Sequence, residues 1–288
     1  MNIHMSGATG FIGSHLSRTF ADRGWKVIPL RREDLKLGDD DFLKKMEAAD
    51  VVVNLAGASV AERWTEEYKK VMYSSRVDTT RKIVNALGKM VRKPGLFIST
   101  SAVGIYDTEG EHTEEDAHYA NDFLGKLALD WERAALKAGE LGVRTVIFRF
   151  GVVLGIEGGA LKKMLIPFRM GLGGVIGHGK QPFSWVHIED LIRAYTTVIE
   201  NDTYHGIYNL TSPYPITNAD LTKALGHALH KPAFVHVPAF AFRLQVGEGA
   251  RVLLEGQRVL PRRLLESGFT FKFTEIETAL EDLVGKEK

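Results

Sequence analysis

A doubly wound parallel sheet with helices on both faces, joined to a smaller C-terminal α/β lobe, is the α/β fold that this sequence predicts. Three observations carry the expectation. A short apolar strand at the start of the chain runs into regularly spaced glycines and then into a helix. Short β-branched runs then alternate with amphipathic stretches as far as about residue 155, the pattern of a parallel sheet with crossover helices. The 288 residues, 44% hydrophobic and 25% charged, are enough for one large or two modest domains with a sizeable core.

The N-terminal stretch NIHMSGATGFIG organises the rest. Ile3 and Met5 alternate with Asn2, His4 and Ser6, and glycines follow at Gly7, Gly10 and Gly13. Phe11, Ile12, Leu16 and Phe20 then fall near helical spacing. Strand, tight turn and helix in that order is the arrangement that binds a dinucleotide. Gly7 permits the turn, Gly10 lets the backbone approach a pyrophosphate, and Gly13 lets helix and strand pack closely. The first-turn N–H groups of such a helix face an anion. Thr9, Phe11 and Ile12, within the same loop, are counted as contacts too.

Residues 25–30 (WKVIPL) read as the second strand, and Arg31 and Arg32 follow it. An acid at this place would bond a ribose 2′-hydroxyl, whereas arginine suits a 2′-phosphate, so NADP(H) is the expected cofactor. Residues 39–49 form an amphipathic helix and 50–55 (DVVVNL) a buried strand, ending in the small-residue turn Leu55, Ala56, Gly57 against which a cofactor can lie. A long helical stretch over 65–88 contains Arg76, which can reach the cofactor, reach a loop, or stay at the surface. Residues 96–100 (LFIST) form another strand, 107–119 an acidic loop, 122–141 a helix and 143–150 a strand. Ser99 and Val152, near the ends of these later strands, complete the expected cofactor contacts. Beyond residue 155 the texture changes. Residues 171–179 (GLGGVIGHG) read as a loop, 183–188 and 206–210 as strands, and 189–199 and 216–229 as helices. The tail over 238–285 reads as two helices around FTFKF.

The formal net charge of +1 gives no reason to expect nucleic acid, and no apolar run approaches the roughly 20 residues of a membrane span. The absence of cysteine excludes disulfides, thiolate metal sites and a cysteine nucleophile, and fits a reducing, cytoplasmic setting. With the chain entering its first strand at once, no signal peptide is expected. His178, His187, His227, His230 and His236 match no ligand spacing, so no metal is expected. The partner foreseen is a small-molecule substrate, with a homodimer left open.

Taken together, these motifs resemble the extended short-chain dehydrogenase/reductase superfamily, the NAD-dependent epimerase/dehydratase-like group that includes nucleotide-sugar epimerases. The loop from Gly7 to Gly13 looks like that group's cofactor loop, and FSWVHIEDL from Phe183 like its motif after the sixth strand. Four runs narrow the resemblance to one atypical branch: RWTEEYKKVMYSSRVDTTR from Arg63, STSAVGIYD from Ser99, FGVVLGIEGGALKKMLIPFRMGLGG from Phe150, and LLEGQRVLPRRLLESGF from Leu253. That branch carries a C-terminal domain of unassigned function and is labelled epimerase, in bacteria sometimes cell-division inhibitor. The resemblance implies a seven-stranded Rossmann-type sheet, a substrate lobe and NADP(H). The expected division is 1–155 with part of 183–210 for the cofactor, and 156–182 with 211–288 for substrate, including the family-specific segment 238–285.

Enzymes of this kind use a serine with Tyr-x-x-x-Lys, the serine polarising the substrate oxygen and the tyrosine passing the proton. By resemblance Ser101 takes the serine's place and Lys126 the lysine's, but Asp122 stands where the tyrosine belongs. An aspartate does not replace a phenol that must transfer a proton near neutral pH. Tyr106, five residues after Ser101, and Tyr119, three before Asp122, are the candidate substitutes. Arg149 is placed to meet an anion, Ser184 and Trp185 to line the pocket, and His187 to orient a loop over the cleft. Two functions follow: an NADP(H)-dependent oxidoreductase or epimerase acting on a small carbonyl, alcohol or nucleotide sugar, or a cofactor-binding regulator or redox sensor that has lost turnover.

Overall fold

A computed structural model of the chain describes residues 1–285. In chain order its first part comprises β1 (Asn2–Ser6), α1 (Phe11–Asp22), β2 (Lys26–Leu30), α2 (Asp39–Met46), β3 (Val51–Asn54), α3 (Glu66–Tyr73), α4 (Thr79–Lys89), β4 (Leu96–Ala102), β5 (Glu111–His112), α5 (Phe123–Glu140) and β6 (Arg144–Phe150). The second part holds β7 (Val152–Leu154), α6 (Gly159–Arg169), β8 (Gly174–Ile176), β9 (Pro182–Phe183), β10 (Trp185–His187), α7 (Ile188–Glu200), β11 (Gly206–Leu210), β12 (Ile216–Thr217) and α8 (Asn218–Ala228). The tail adds β13 (Val235–Val237), α9 (Ala239–Val246), α10 (Arg251–Leu254), β14 (Arg258–Val259), α11 (Arg262–Glu266) and α12 (Ile276–Val284).

Six parallel strands form the central sheet in the order β11-β6-β4-β3-β1-β2. Side chains alternate across it, so neighbours in one strand serve opposite cores. Val53, Ile98 and Phe148 pack with Leu16 and Phe20 of α1 and Leu191 and Tyr195 of α7. Val52, Phe97 and Ile147 pack with Phe42 of α2, Ile83 and Leu87 of α4, and Ala135 and Ala138 of α5. A further core joins Leu161 and Leu165 of α6, Trp185 of β10, Leu221 and Leu225 of α8 and Leu280 of α12.

The resemblance implied seven strands, and the sheet has six among the described residues. The connection from Leu30 to Val51 holds only a 3-10 turn and α2 before returning to the far side of β1, so β2 is the rim. The helix expected over 65–88 is interrupted by a π-helical turn at Ser74–Asp78. The loops expected over 107–119 and 171–179 each contain a short strand, β5 pairing with β14 and β8 with β13. Both partners lie in the tail, beyond the reach of local periodicity, and the tail itself breaks into more helices than two. No helix among the described residues is long and apolar enough to cross a membrane.

The turn after β1 is fixed by close approach. Gly7 has φ +70°, and a Cβ there would stand 2.9 Å from the Leu55 carbonyl oxygen. A Cβ on Gly13 would stand 2.1 Å from the Gly7 oxygen, whereas one on Gly10 meets nothing closer than 3.2 Å. Gly13→Ala therefore forces α1 away from the turn and should destabilise the protein by about 1–3 kcal/mol, the usual cost of overpacking. Gly10→Ala, whose Cβ meets only the Gly7 oxygen at 3.2 Å, should lower the urea midpoint less than Gly13→Ala does. Equal midpoints for all three proteins would contradict this account.

Candidate functional site

The strand order reverses between β1 and β3, and ligands of such sheets bind outside the carboxyl ends at that point. There the Gly10 N–H donates to the Gly7 carbonyl at 3.0 Å, and Gly10 is the N-cap of α1. A glycine cap supplies no side-chain acceptor, and the first turn of α1 holds no acid. The N–H groups of Phe11, Ile12 and Gly13 thus lack an intrahelical partner and carry the positive end of the helix dipole. Thr9 and Gly10 are exposed at the tip, and the Phe11 ring is packed under Gly155 and Gly158, where added Cβ atoms would come within 2.5 and 2.6 Å of it.

Facing this loop, the end of β3 is set by a buried polar chain. Ser6 Oγ donates to Asn54 Oδ1 at 2.6 Å and accepts the N–H groups of Leu55 and Ala56, each at 3.2 Å. Asn54 Nδ2 donates to Thr80 Oγ1 at 2.8 Å, which also accepts from Trp131 Nε1 and donates to the Arg76 carbonyl. Leu55, Ala56 and Gly57 are thereby held beside the glycine loop, with Gly57 exposed. Arg76 lies against Gly57, its Nη2 donating to the Ala58 carbonyl at 2.8 Å. Arg31 and Arg32 are exposed just past β2, the next strand along, where the Arg31 N–H donates to Asp34.

Other expected residues lie elsewhere. Ser99 is fully buried inside the sheet opposite Asn54, so it has no surface to offer a cofactor. Val152 is on β7, paired with Trp185 and packed against the core that holds Leu161, Leu225 and Leu280. Ser184 and Trp185, expected to line the pocket, are buried. Ser184 Oγ donates to the Gln257 carbonyl and accepts from the Val259 N–H, pinning the tail.

The expected catalytic trio does not assemble as the resemblance implied. Ser101 is 1% exposed, and its hydroxyl donates to Glu132 Oε1 at 2.6 Å. Glu132 is clasped by Arg149, whose Nε and Nη2 donate to its two oxygens at 2.7 Å each. Arg149 Nη1 donates at 2.6 Å to the Tyr106 hydroxyl, which also lies 2.9 Å from Asn209 Oδ1 and from the Thr113 carbonyl. Burial pushes the Tyr106 phenol up to about 12, although the Arg149 charge pulls the other way. Burial also works against the Arg149 charge, but its hydrogen bonds and ion pair with Glu132 outweigh that and hold it protonated. Ser101 and Tyr106 are therefore committed to a buried network, while Lys126 is exposed on α5. Sequence reasoning placed Arg149 at a ligand and missed Glu132. The available signal was a glutamate on the apolar stripe of α5, in step with Ala128, Trp131, Ala135 and Ala138.

The missing tyrosine has a local explanation. Asp122 is the N-cap of α5, its Oδ1 accepting the Gly125 N–H at 2.8 Å, a task no phenol performs. Its other oxygen lies 3.3 Å from Arg251 Nη2, so the tail docks on the start of this helix. Lys69 and Glu248, 2.6 Å apart, make a second such tie. A cavity of about 510 Å³ opens beside them, its wall including His178, Arg243, Glu248, Arg251 and Glu255. Tyr119 lies beneath the Arg149 guanidinium at 5.7 Å. Rather than a loop over the cleft, His187 caps α7 by accepting the Glu189 N–H, and stacks on Phe273. No three acidic or histidine side chains among the described residues converge as metal ligands.

These features define a Rossmann-type protein, with a glycine turn and an uncapped helix N-terminus where the strand order of its parallel sheet reverses. Comparison with known sequences places it more narrowly: residues 3–211 match the NAD dependent epimerase/dehydratase family, to which the chain belongs, and residues 237–283 match a domain of unknown function (DUF1731). The chain is 36% identical to the epimerase family protein YfhF of Bacillus subtilis over 302 aligned residues, covering 100% of this chain and 99% of that one. Among solved structures it resembles the human epimerase family protein SDR39U1, crystallised with NADPH, with a TM-score of 0.92, 35% identity and 99% of each chain covered. A UDP-glucuronic acid 4-epimerase from Bacillus cereus, 18% identical over 98% of each chain with a TM-score of 0.79, shares the fold.

Two outcomes follow from the buried groups. Glu132→Gln leaves the Arg149 guanidinium unpaired and should cost about 3–5 kcal/mol in urea unfolding, while Glu132→Leu with Arg149→Met should recover much of it. A loss below about 1 kcal/mol for the single change would contradict the geometry. Burial also holds the His187 imidazole below its ordinary 6.5, against the pull of Asp282. The unfolded chain then takes up a proton at higher pH than the native one, so this contribution is complete above pH 6.5 and is lost as pH falls. His187→Asn should flatten that decline between pH 6.5 and 5; an unchanged slope would exclude His187 as its source.

Proposed function

We propose that this chain binds NADP(H) at the carboxyl ends of β1, β2 and β3 and acts as an oxidoreductase or epimerase of the extended short-chain dehydrogenase/reductase type. The observation that carries the reading is the uncapped N-terminus of α1, set behind a glycine turn at the reversal of strand order. The likeness to a human protein crystallised with NADPH supports it. In this reading the N–H groups of Phe11, Ile12 and Gly13 hold the pyrophosphate, and the Leu55–Gly57 backbone supports the adenine and ribose side. Arg31 and Arg32 meet the 2′-phosphate. The cofactor, when bound, supplies hydride exchange with the substrate carbon. The substrate is a small carbonyl or alcohol, or a nucleotide-linked sugar. The hydroxyls of Ser101 and Tyr106 are engaged in the buried network, so neither is assigned the proton transfer.

Calorimetric titration tests the cofactor. A charge-assisted bond is worth roughly 1.5–3 kcal/mol, and each 1.4 kcal/mol is about tenfold. NADPH should therefore bind at least tenfold more tightly than NADH, and the change Arg31→Ala with Arg32→Ala should remove the difference by weakening NADPH alone. Equal affinities in the parent would exclude these arginines as the 2′-phosphate site. NADPH oxidation across quinones, aldehydes, ketones and nucleotide sugars then narrows the substrate.

A further inference from the structure

Arg76 is largely buried, yet no carboxylate among the described residues pairs with it. Its Nη1 donates to the Met72 carbonyl at 3.2 Å and its Nη2 to the Ala58 carbonyl at 2.8 Å. The guanidinium sits 5.5 Å from the Trp131 ring centroid, and an added Cβ on Gly57 would come within 3.1 Å of it. Burial lowers its pKa to about 10. The acids nearest in sequence and on the facing helix are engaged elsewhere: Asp78 with Arg81, and Asp130 with Tyr73 and Arg133. Carbonyl dipoles and a ring face compensate a buried cation only in part, and a charge withdrawn from water without a counter-ion is costly.

The local backbone is built to keep the cation there. Arg76 lies in the π-helical turn between α3 and α4, a distortion that recurs at functional sites. Ser75 Oγ accepts the Ala58 N–H at 3.0 Å while Arg76 bonds the Ala58 carbonyl, so this turn grips both backbone groups of one residue in the cleft wall. The guanidinium's remaining N–H donors adjoin exposed Gly57, at the edge of the cleft assigned above to the cofactor.

We propose that Arg76 is an anion receptor of this cleft, its guanidinium completed by an oxyanion of a bound ligand. The proposal takes its location from the dinucleotide reading of the cleft. The oxyanion can come from a cofactor phosphate or from an anionic group on a second ligand, and the chemistry at Arg76 is the same: a planar donor fork on a phosphate or carboxylate.

Arg76→Gln keeps a donor for the carbonyls and removes the charge, and Arg76→Lys keeps the charge. The measurements are the melting temperature of the ligand-free protein, calorimetric titration with NADPH and NADH, and titration of pyrophosphate and acetate into NADPH-saturated protein. Arg76→Gln should melt no lower than the parent, because an uncompensated cation is gone, while losing about 10- to 100-fold in affinity for the ligand whose oxyanion it holds. Arg76→Lys should recover a large part of that affinity. Equal losses for NADPH and NADH identify the pyrophosphate, a loss for NADPH alone the 2′-phosphate, and a loss confined to pyrophosphate or acetate a second ligand. Each of these supports the proposal. Unchanged affinity for every probe overturns it. So does a loss accompanied by a lower ligand-free melting temperature that Arg76→Lys does not relieve, which makes Arg76 a brace for the loop. If the parent binds neither NADPH nor NADH, the cofactor reading fails, and pyrophosphate and acetate titrated into the ligand-free protein decide the matter for Arg76. Failure of those probes to bind the parent overturns the proposal as well.

Discussion

Glu132 and Arg149 are both buried, and each is the other's ion-pair partner. Their two-point contact spans α5 and β6, and everything around it is arranged to satisfy what remains. Ser101 donates to the carboxylate from β4, Tyr106 accepts the guanidinium's outer donor, and Asn209 meets that phenol from β11. Asn209 Nδ2 in turn donates to the Leu260 carbonyl, so the network reaches the tail. A pair like this contributes little net stability against an apolar alternative, but it tolerates few other arrangements of the elements that supply it. Helix, sheet and tail are locked into one register, and the hydroxyl that the resemblance assigned to chemistry is part of that lock.

The cleft depends on a second chain of the same kind. Ser6, Asn54, Thr80 and Trp131 pass hydrogen bonds from β1 through β3 to α4 and α5, and the N–H groups of Leu55 and Ala56 end on Ser6. The path of the backbone opposite the glycine loop is thereby dictated from within the core. The tail adds its own ties through Arg251 on Asp122 and Glu248 on Lys69, joining the family-specific segment to the start of α5 and to α3.

Local features carried much of this in the sequence. The glycine spacing, the β-branched runs and the return of helical periodicity disclose the strands and helices of the first lobe, because each is decided by neighbours a few residues away. The edge of the sheet was misjudged where family likeness was followed instead: residues 30–51 contain no strand pattern beyond β2, and the sheet has none. Alternation along β4 puts Ser101 on the α5 face, but it cannot say that a glutamate thirty-one positions later takes its hydrogen bond. The short strands β5, β8, β13 and β14 were illegible for the same reason, since each is defined by a partner distant in the chain. Asp122 was visible as a departure, and only the start of α5 explains it as a cap.

A sheet that stops at β2 leaves one row of backbone groups facing outward, and an open row of this kind can recruit a strand from another molecule. This rim runs Lys26, Val27, Ile28, Pro29, Leu30, with Pro29 opposite Met5. Proline has no amide hydrogen, so the ladder an incoming strand would need is broken within a segment only five residues long. The lysine at its start is exposed, and the two arginines that follow it place like charges along any joint between two copies. The same cationic end of β2 that the cofactor reading assigns to a phosphate thus also guards the protein against aggregation by sheet extension.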